Sequence, residues 1–194
     1  MIPGIVLAAG RSTRMGRPKA LLPVDASDTF LSRVVATLRA ASIDDVVVVL
    51  GHEAAAIAAS LESHGADARV VVNAGYDAGQ LSSLVAGLRA VDRPGVTAAL
   101  VTLVDVPLVS AATVRRLLDR HRATRAPIVR PVSGARHGHP IVIDRALFDA
   151  VFAADPSVGL KPLVHAHASS AGDVEVDDEG AFRDIDTPED YAAL

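Results

Sequence analysis

Five consecutive residues, Val46 to Leu50 (VVVVL), carry no polar side chain, so neither face of this segment can look onto water. A strand of that composition needs cover on both sides, which is the condition of a central strand in a parallel sheet flanked by helices. Three more apolar runs read as strands: Ile5 to Ala9, Ala68 to Val72 and Ala98 to Val104. Between them the apolar period becomes helical. Phe30, Leu31, Val34, Val35 and Leu38 recur at helical spacing after a candidate cap at Asp28 or Thr29, and Glu53 to Leu61 is an Ala-rich helix. Leu81, Leu84, Val85 and Leu88 mark one face of a helix from Leu81 to Val91, and Ser110 caps another that runs to His121. Strands alternating with helices at this pitch predict βαβ units with right-handed crossovers, hence an α/β fold on a doubly wound sheet. The 194 residues suit one domain spanning positions 1–194, and with aromatics only 3% of the chain its core must be filled by small and branched side chains.

The alternation loosens after Pro127. Ile128 to Val132 and Pro140 to Ile143 read as strands on either side of a Gly- and His-rich loop, SGARHGHP. A helix is expected from about Asp144 to Ala153, then a short one from Gly159 to Ala168 interrupted early by Pro162, then a strand at Val174 to Val176. A last helix begins at Thr187, with Pro188 in its first turn and acidic residues where the helix dipole favours them.

The formal net charge of −4 argues against general nucleic-acid binding, which needs a basic excess to displace counterions. The absence of cysteine removes disulfides, thiolate catalysis and cysteine-ligated metals. No apolar run approaches the roughly 20 residues of a membrane span. The N-terminal run meets Gly10 and Arg11 too early for a signal peptide, so a cytoplasmic protein is expected.

In a doubly wound sheet, ligands bind beyond the carboxyl ends of the strands. Three polar segments converge there: Gly10 to Lys19, Asn73 to Ser83, and Asp105 to Pro107. The first, within LAAGRSTRMGRPK, fits neither GxxxxGK[ST] nor GxGxxG. Its parts still suit a triphosphate. Gly10 and Gly16 permit unusual backbone conformations and let amides approach oxygens closely, while Arg14 and Lys19 can neutralise phosphate charge. A solvated basic turn is the plain alternative. Asp105 follows an apolar strand, where a carboxylate is costly to desolvate unless it is paired or holds a cation, and magnesium suits it because phosphate oxygens and water fill the other positions. A turn or cap residue is the alternative. Asn73 and the helix start GQLSSL, Gly79 to Leu84, offer amides and hydroxyls to a base or phosphate, as an ordinary N-cap would. The pairs His137/His139 and His165/His167 have flanking glycines or no nearby third ligand, which argues against zinc. Asp184 and Asp186 read either as a second carboxylate group for magnesium or as a capping pair before Pro188.

Taken in order and spacing, LAAGRSTRMGRPKALLPV, VVNAGYDAGQLSSLVAGL, LVDVPLV, GHPIVI and DIDTPEDY resemble the MobA-like nucleotidyltransferase family, and within it the molybdenum cofactor cytidylyltransferases. The resemblance covers nearly the whole chain. It implies a three-layer α/β/α fold of the nucleotide-diphospho-sugar transferase type with a mostly parallel sheet. It also implies a Mg²⁺-dependent reaction in which an acceptor phosphate attacks the α-phosphorus of a nucleoside triphosphate and pyrophosphate leaves. By motif, Leu7, Ala8, Ala9, Gly10, Arg14 and Lys19 would hold the nucleotide, and Asn73, Ser82 and Ser83 would lie by base and ribose. Asp105 would bind the metal with Asp186 as second ligand, and Gly138 and His139 would lie on the side of a pterin phosphate acceptor. Arg14, Lys19 and Asp105 would carry catalysis.

The start LAAG, where the guanylyl-transferring branch usually has LAGG, resembles the branch that uses CTP. The implied partners are CTP, the pterin phosphate, and a molybdoenzyme or its chaperone that receives the product. Val104 departs from the family's usual Gly in GDxP, and VGLKPLV stands where a GAR-type motif is usual, with Lys161 in place of an arginine. Other readings are a guanylyltransferase, a sugar- or alditol-phosphate nucleotidyltransferase, an NAD(P)H-dependent reductase, and a binding protein without turnover. The missing GxGxxG and acidic ribose partner argue against the reductase.

Overall fold

Val46 to Leu50 forms strand β2 and lies parallel to β1 (Gly4–Ala8), with Ile5 opposite Val47 and Leu7 opposite Val49. Their side chains divide by parity. Val6, Ala8, Val46, Val48 and Leu50 point into one apolar core, and Ile5, Leu7, Val47 and Val49 into another. The uninterrupted run is thus buried because each face has its own cover. The computed structural model describes residues 1–194. After β1 and β2 flanking α1 (Phe30–Ala40), the chain continues through α2 (Ala54–Ser63), β3 (Arg69–Val72), α3 (Gln80–Val91), β4 (Ala98–Leu103) and α4 (Ala111–Thr124). It ends with β5 (Ile128–Ser133), β6 (Arg136–His137), β7 (Ile141–Asp144), α5 (Phe148–Phe152), α6 (Lys161–His167), β8 (Asp173–Glu175) and α7 (Pro188–Ala192). Helices α1, α2 and α4 cover the first core, and α3 and α5 the second. The strand order is β3-β2-β1-β4-β7-β5-β6, with β8 beside β5. Strands β3, β2, β1 and β4 run parallel, while β7 runs against β4 and β5.

Local chemistry explains where the observed elements depart from the periodicity. Thr29, not Asp28, caps α1: its Oγ1 accepts from the Ser32 amide at 3.2 Å, and Ser32 Oγ accepts from the Thr29 amide at 2.9 Å. SGARHGHP is not all loop, because Arg136 and His137 pair back onto Ser133 and Val132 as β6. The helix expected from Asp144 begins as a 3-10 turn at Arg145–Leu147 and is α-helical only from Phe148. Asp144 stays in β7 because its carboxylate is engaged, accepting from the Ala146 amide at 3.0 Å and pairing with buried His121 Nε2 at 2.8 Å. Pro162 does not interrupt a helix. It sits in the first turn of α6, where a missing N–H costs nothing, and Gly159 lies outside with φ of 78°. No helix is long and apolar enough to cross a membrane.

Asp45 anchors the N-terminal edge of the sheet by accepting from Arg69 Nε at 3.0 Å and Arg93 Nη2 at 2.7 Å. Partial burial would raise its pKa, but the two arginines prevail and hold it below the usual carboxylate range. A depressed folded-state pKa means that the stabilisation is present above the unfolded value of about 3.9 and is lost as pH falls through the folded value. Asp45→Asn is therefore expected to lower the urea midpoint at neutral pH, and its curve should converge on wild type in acid.

Candidate active site

Strands β1 and β4 end side by side, with Leu7 opposite Leu103, and the loops that leave them build the site. After Ala9 the chain turns around Ser12. Ser12 (φ 52°) and Gly16 (φ 72°) are left-handed, and the amides of Met15 and Gly16 donate to the Ser12 carbonyl at 3.0 and 3.1 Å. Ser12 Oγ then accepts from the Lys19 amide at 3.1 Å. The backbone freedom expected of Gly10 is used at Gly16 instead, since Gly10 stays outside the left-handed region. This turn folds Lys19 back over the strand ends, where it is buried, and leaves Arg14 exposed at the rim.

Lys19 Nζ donates to Asp105 Oδ2 at 2.9 Å and to Asp186 Oδ1, and Arg14 Nη1 pairs with Asp186 Oδ2 at 2.9 Å. Asp186 reaches this point because its neighbours are fixed. Ile185 is fully buried and its amide donates to the Asp105 carbonyl at 2.8 Å, so the two acidic segments are stitched together through the backbone. Thr187 and Asp190 form a capping box on α7, and Asp190 Oδ2 also accepts from the Asp186 amide at 3.0 Å. Tyr191 donates its hydroxyl to the Pro23 carbonyl at 2.8 Å and lays its ring 5.9 Å from that of Phe30. Thr187 and Asp190, not Asp184 and Asp186, cap this helix, so the capping alternative does not hold and the Asp186 carboxylate belongs to the acidic cluster.

The charges of this cluster hold one another. Burial would lower the Lys19 pKa, but hydrogen bonds to Asp186 and Asp105 raise it above the ordinary lysine value. Asp186 lies below the carboxylate range because Lys19 and Arg14 outweigh its desolvation. Asp184 is pushed up by desolvation first and by the Asp105 charge second, and burial pushes the His139 imidazole down. Asp105 Oδ1 is buried and has no hydrogen-bond partner. An anionic oxygen without a donor fits a hard cation, and Asp186 is the second carboxylate within reach of Lys19. No group of three or more His, Asp or Glu side chains is gathered to hold a metal ion by itself.

A cavity of about 310 Å³ opens over the cluster. Leu7, Ala8, Ala9, Gly10, Arg14, Lys19, Ser83, Asp105 and Asp186 all line it. Asn73 and Ser82 do not. Asn73 Nδ2 donates to Ser82 Oγ at 2.9 Å and to Ser83 Oγ at 3.0 Å, which ties the β3–α3 connection to the first turn of α3. That turn is preceded by Gly79 and has no side-chain cap, so its positive end is offered to the cavity wall. Tyr76 and Gln80 line the cavity as well, and neither was singled out by motif. Tyr76 is one of only two tyrosines in the chain, a weak signal that is visible in the sequence. Arg11 lies 5.5 Å over its ring and forms a paired contact with Asp77 at 3.0 and 2.9 Å, clasping the two loops together.

A smaller, mainly apolar cavity of about 110 Å³ adjoins the first and shares Leu7, Gln80 and Leu103 with it. His139, Ile141 and Leu160 line its far side. Gly138 precedes it, and a Cβ there would stand 2.1 Å from the Ala181 carbonyl oxygen, so only glycine lets this segment lie against Ala181. The His139 amide donates to the same carbonyl at 2.8 Å, and His139 Nδ1 is buried without a partner. Lys161 is exposed and lines neither cavity, whereas Val104 lines the larger one.

The MobA-like NTP transferase domain model matches residues 4–171. Nicotine blue oxidoreductase of Paenarthrobacter nicotinovorans is 35% identical over 202 residues, covering 100% of this chain and 96% of that protein. A probable molybdenum cofactor guanylyltransferase of Mycobacterium avium is 33% identical over 136 residues, covering 70% of this chain and 66% of that one. Among solved structures, Rv0371c of Mycobacterium tuberculosis superposes with a TM-score of 0.82 at 34% identity over 100% of this chain and 97% of that one. The same protein has been crystallised as a complex with manganese, which superposes at 0.78. A basic loop over an acidic cluster at the end of a parallel sheet, in a chain matched by this domain along most of its length, places the protein in the MobA-like NTP transferase family of nucleotidyltransferases.

Proposed function

We propose that the protein transfers a cytidylyl group from CTP, in the presence of Mg²⁺, to the phosphate of a molybdopterin-type acceptor. The cluster of Arg14, Lys19, Asp105 and Asp186 at the floor of the larger cavity carries this reading. Oxygen of the acceptor phosphate attacks the α-phosphorus, the bond to the β-phosphate oxygen breaks, and pyrophosphate departs with the electron pair. Such a transfer rests on positioning and charge neutralisation, so no protein nucleophile is needed. Mg²⁺ held by Asp105 and Asp186 would withdraw charge from the phosphate oxygens. Lys19 and Arg14 meet the negative charge that grows on the leaving pyrophosphate. The uncapped start of α3 offers its amides to the nucleotide.

Ala9 on the cavity wall supports a pyrimidine, because its methyl group takes space that glycine would leave open to a larger base. The adjoining apolar cavity, with His139 on its wall, supports a flat acceptor of pterin type. Ala9→Gly is expected to shift the CTP-to-GTP preference toward GTP by about tenfold, the scale of one methyl group in a pocket. Competition between the two triphosphates at limiting acceptor measures it.

The deciding experiment incubates the protein with Mg²⁺, molybdopterin carrying inserted molybdenum, and each nucleoside triphosphate in turn, and measures pyrophosphate. Release with CTP that depends on the pterin supports the proposal. The full-length likeness to nicotine blue oxidoreductase favours a second reading, in which a reduced nicotinamide nucleotide occupies the larger cavity and passes hydride to an aromatic acceptor in the smaller one. Oxidation of NAD(P)H without pyrophosphate release would replace the first reading with the second.

A further inference from the structure

We infer that Lys19 is the resident cation of the acidic site: its ammonium holds Asp105 and Asp186 together while the site is free of ligand and is handed to the triphosphate when metal and nucleotide arrive, so that metal binds poorly without nucleotide. This rests on the reading that the two carboxylates receive a divalent cation. Its basis is the position of one atom. Lys19 Nζ already bridges Asp105 Oδ2 and Asp186 Oδ1, the two groups a metal would need, and it does so from a buried side chain. A free divalent ion must therefore evict an ammonium from both carboxylates and leave it beside a dication, which is unfavourable at such short range.

The residue type fits this exchange. Of the 19 basic residues in the chain only two are lysines, Lys19 and Lys161, so arginine is the default cation of this sequence. A lysine ammonium is a compact charge on a flexible stem, whereas an arginine fork is planar and holds a carboxylate through fixed paired bonds. The Lys19 backbone is fixed by the Ser12 hydroxyl and by the 3-10 turn Lys19–Leu21, so the exchange needs only the side chain to rotate. Lys19 also lines the larger cavity, so its side chain borders the space in which the phosphate oxygens would lie. Arg14 keeps Asp186 paired on the solvent side during the exchange. The other titratable groups close to the cluster are Asp184 and His139. Asp184 adds negative charge that draws in a cation of either kind.

Mn²⁺ affinity, read by electron paramagnetic resonance of free ion or by calorimetry without nucleotide, tests this in wild type, Lys19→Met, Arg14→Met and Asp105→Asn. Lys19→Met is expected to bind Mn²⁺ about tenfold or more tightly than wild type, since the competing charge is gone, and Arg14→Met, which removes an equal charge from an exposed position, by less than about threefold. An equal gain in both variants, or no gain in Lys19→Met, overturns the inference. If Asp105→Asn binds Mn²⁺ as well as wild type, with and without a non-hydrolysable CTP analogue, the assignment of the metal site itself fails. A second measurement uses the unaltered chain, because lysine-selective labelling gives only two side-chain amine signals. The Lys19 signal should move when Mg²⁺ and the CTP analogue are added together and stay in place with Mg²⁺ alone at the same concentration, while Lys161 is unmoved by either. A Lys19 signal unchanged by saturating metal and nucleotide overturns the inference even if Lys19→Met fails to fold.

Discussion

Asp105→Asn is expected to lower the rate of pyrophosphate release by about a hundred- to a thousandfold, the scale seen when one charge-stabilising group is removed from a preorganised site. The substitution keeps the shape of the side chain and removes its charge. Lys19 then has Asp186 as its one anionic partner, and the buried oxygen that now lacks a donor no longer attracts a cation. Because the Asp105 main chain is held by the Ile185 amide, the segment should keep its place, and thermal unfolding should shift far less than activity. The loss should fall on kcat more than on KM for the triphosphate, since the phosphate-binding roles we propose for Arg14, Lys19 and the α3 start would be untouched in the ground state. A variant that keeps more than about a tenth of wild-type kcat would remove Asp105 from the reaction.

Phe30→Ala is expected to cost about 3–5 kcal/mol, as for other fully buried aromatic side chains. In a chain of this size each kcal/mol corresponds to a melting shift of about 2–4 °C, so a fall of roughly 10 °C should appear by calorimetry. Phe30 has no exposed surface and lies under the ring of Tyr191, whose helix α7 begins two residues after Asp186. The cavity left by truncation loosens that contact, so the variant should lose metal affinity in the presence of nucleotide even at temperatures where it is folded. Phe148→Ala gives the control. Phe148 is equally buried but packs in the opposite core against α3, away from Asp186, and should lower the melting temperature without that loss of affinity. Equal losses of affinity in both variants would mean that Phe30 acts only through global stability.

Burial on both faces was legible in the chain from Val46 to Leu50, since a run without polar residues allows few other placements. The same holds for β1 and β4 and for helices with a clear apolar stripe, such as α1 and α3. What could not be read was the second half of the sheet. Whether β7 runs with or against β4 depends on how the chain returns after β5, and short strands carry no mark of direction. Asp144 shows the limit at a single residue: one carboxylate oxygen caps the turn that follows, as its propensity suggests, but the other pairs with His121, 23 positions earlier, a contact that leaves no local pattern. In the site, Arg14, Lys19 and Asp105 stood out because charge next to an apolar strand end has few structural uses. Asp186 was ambiguous because the feature that would have decided it, contact with Lys19, spans 167 positions. Tyr76 and Gln80 were missed because lining a cavity leaves no local pattern.

The sequence distance between Lys19 and Asp186 has a consequence for the chain as it leaves the ribosome. The parallel strands β1 to β4 end at Leu103, far ahead of Asp184, Ile185 and Asp186 in the chain. Domains begin to organise from the N-terminal side during synthesis. The parallel half of the sheet can therefore form while Lys19 and Asp105 still wait for their third member, and in that interval it lacks Asp186, one of the two carboxylates we propose for the metal. The site closes only when α7 docks on Phe30, so a polypeptide released or cut before Asp186 would resemble the enzyme in shape and be silent in chemistry.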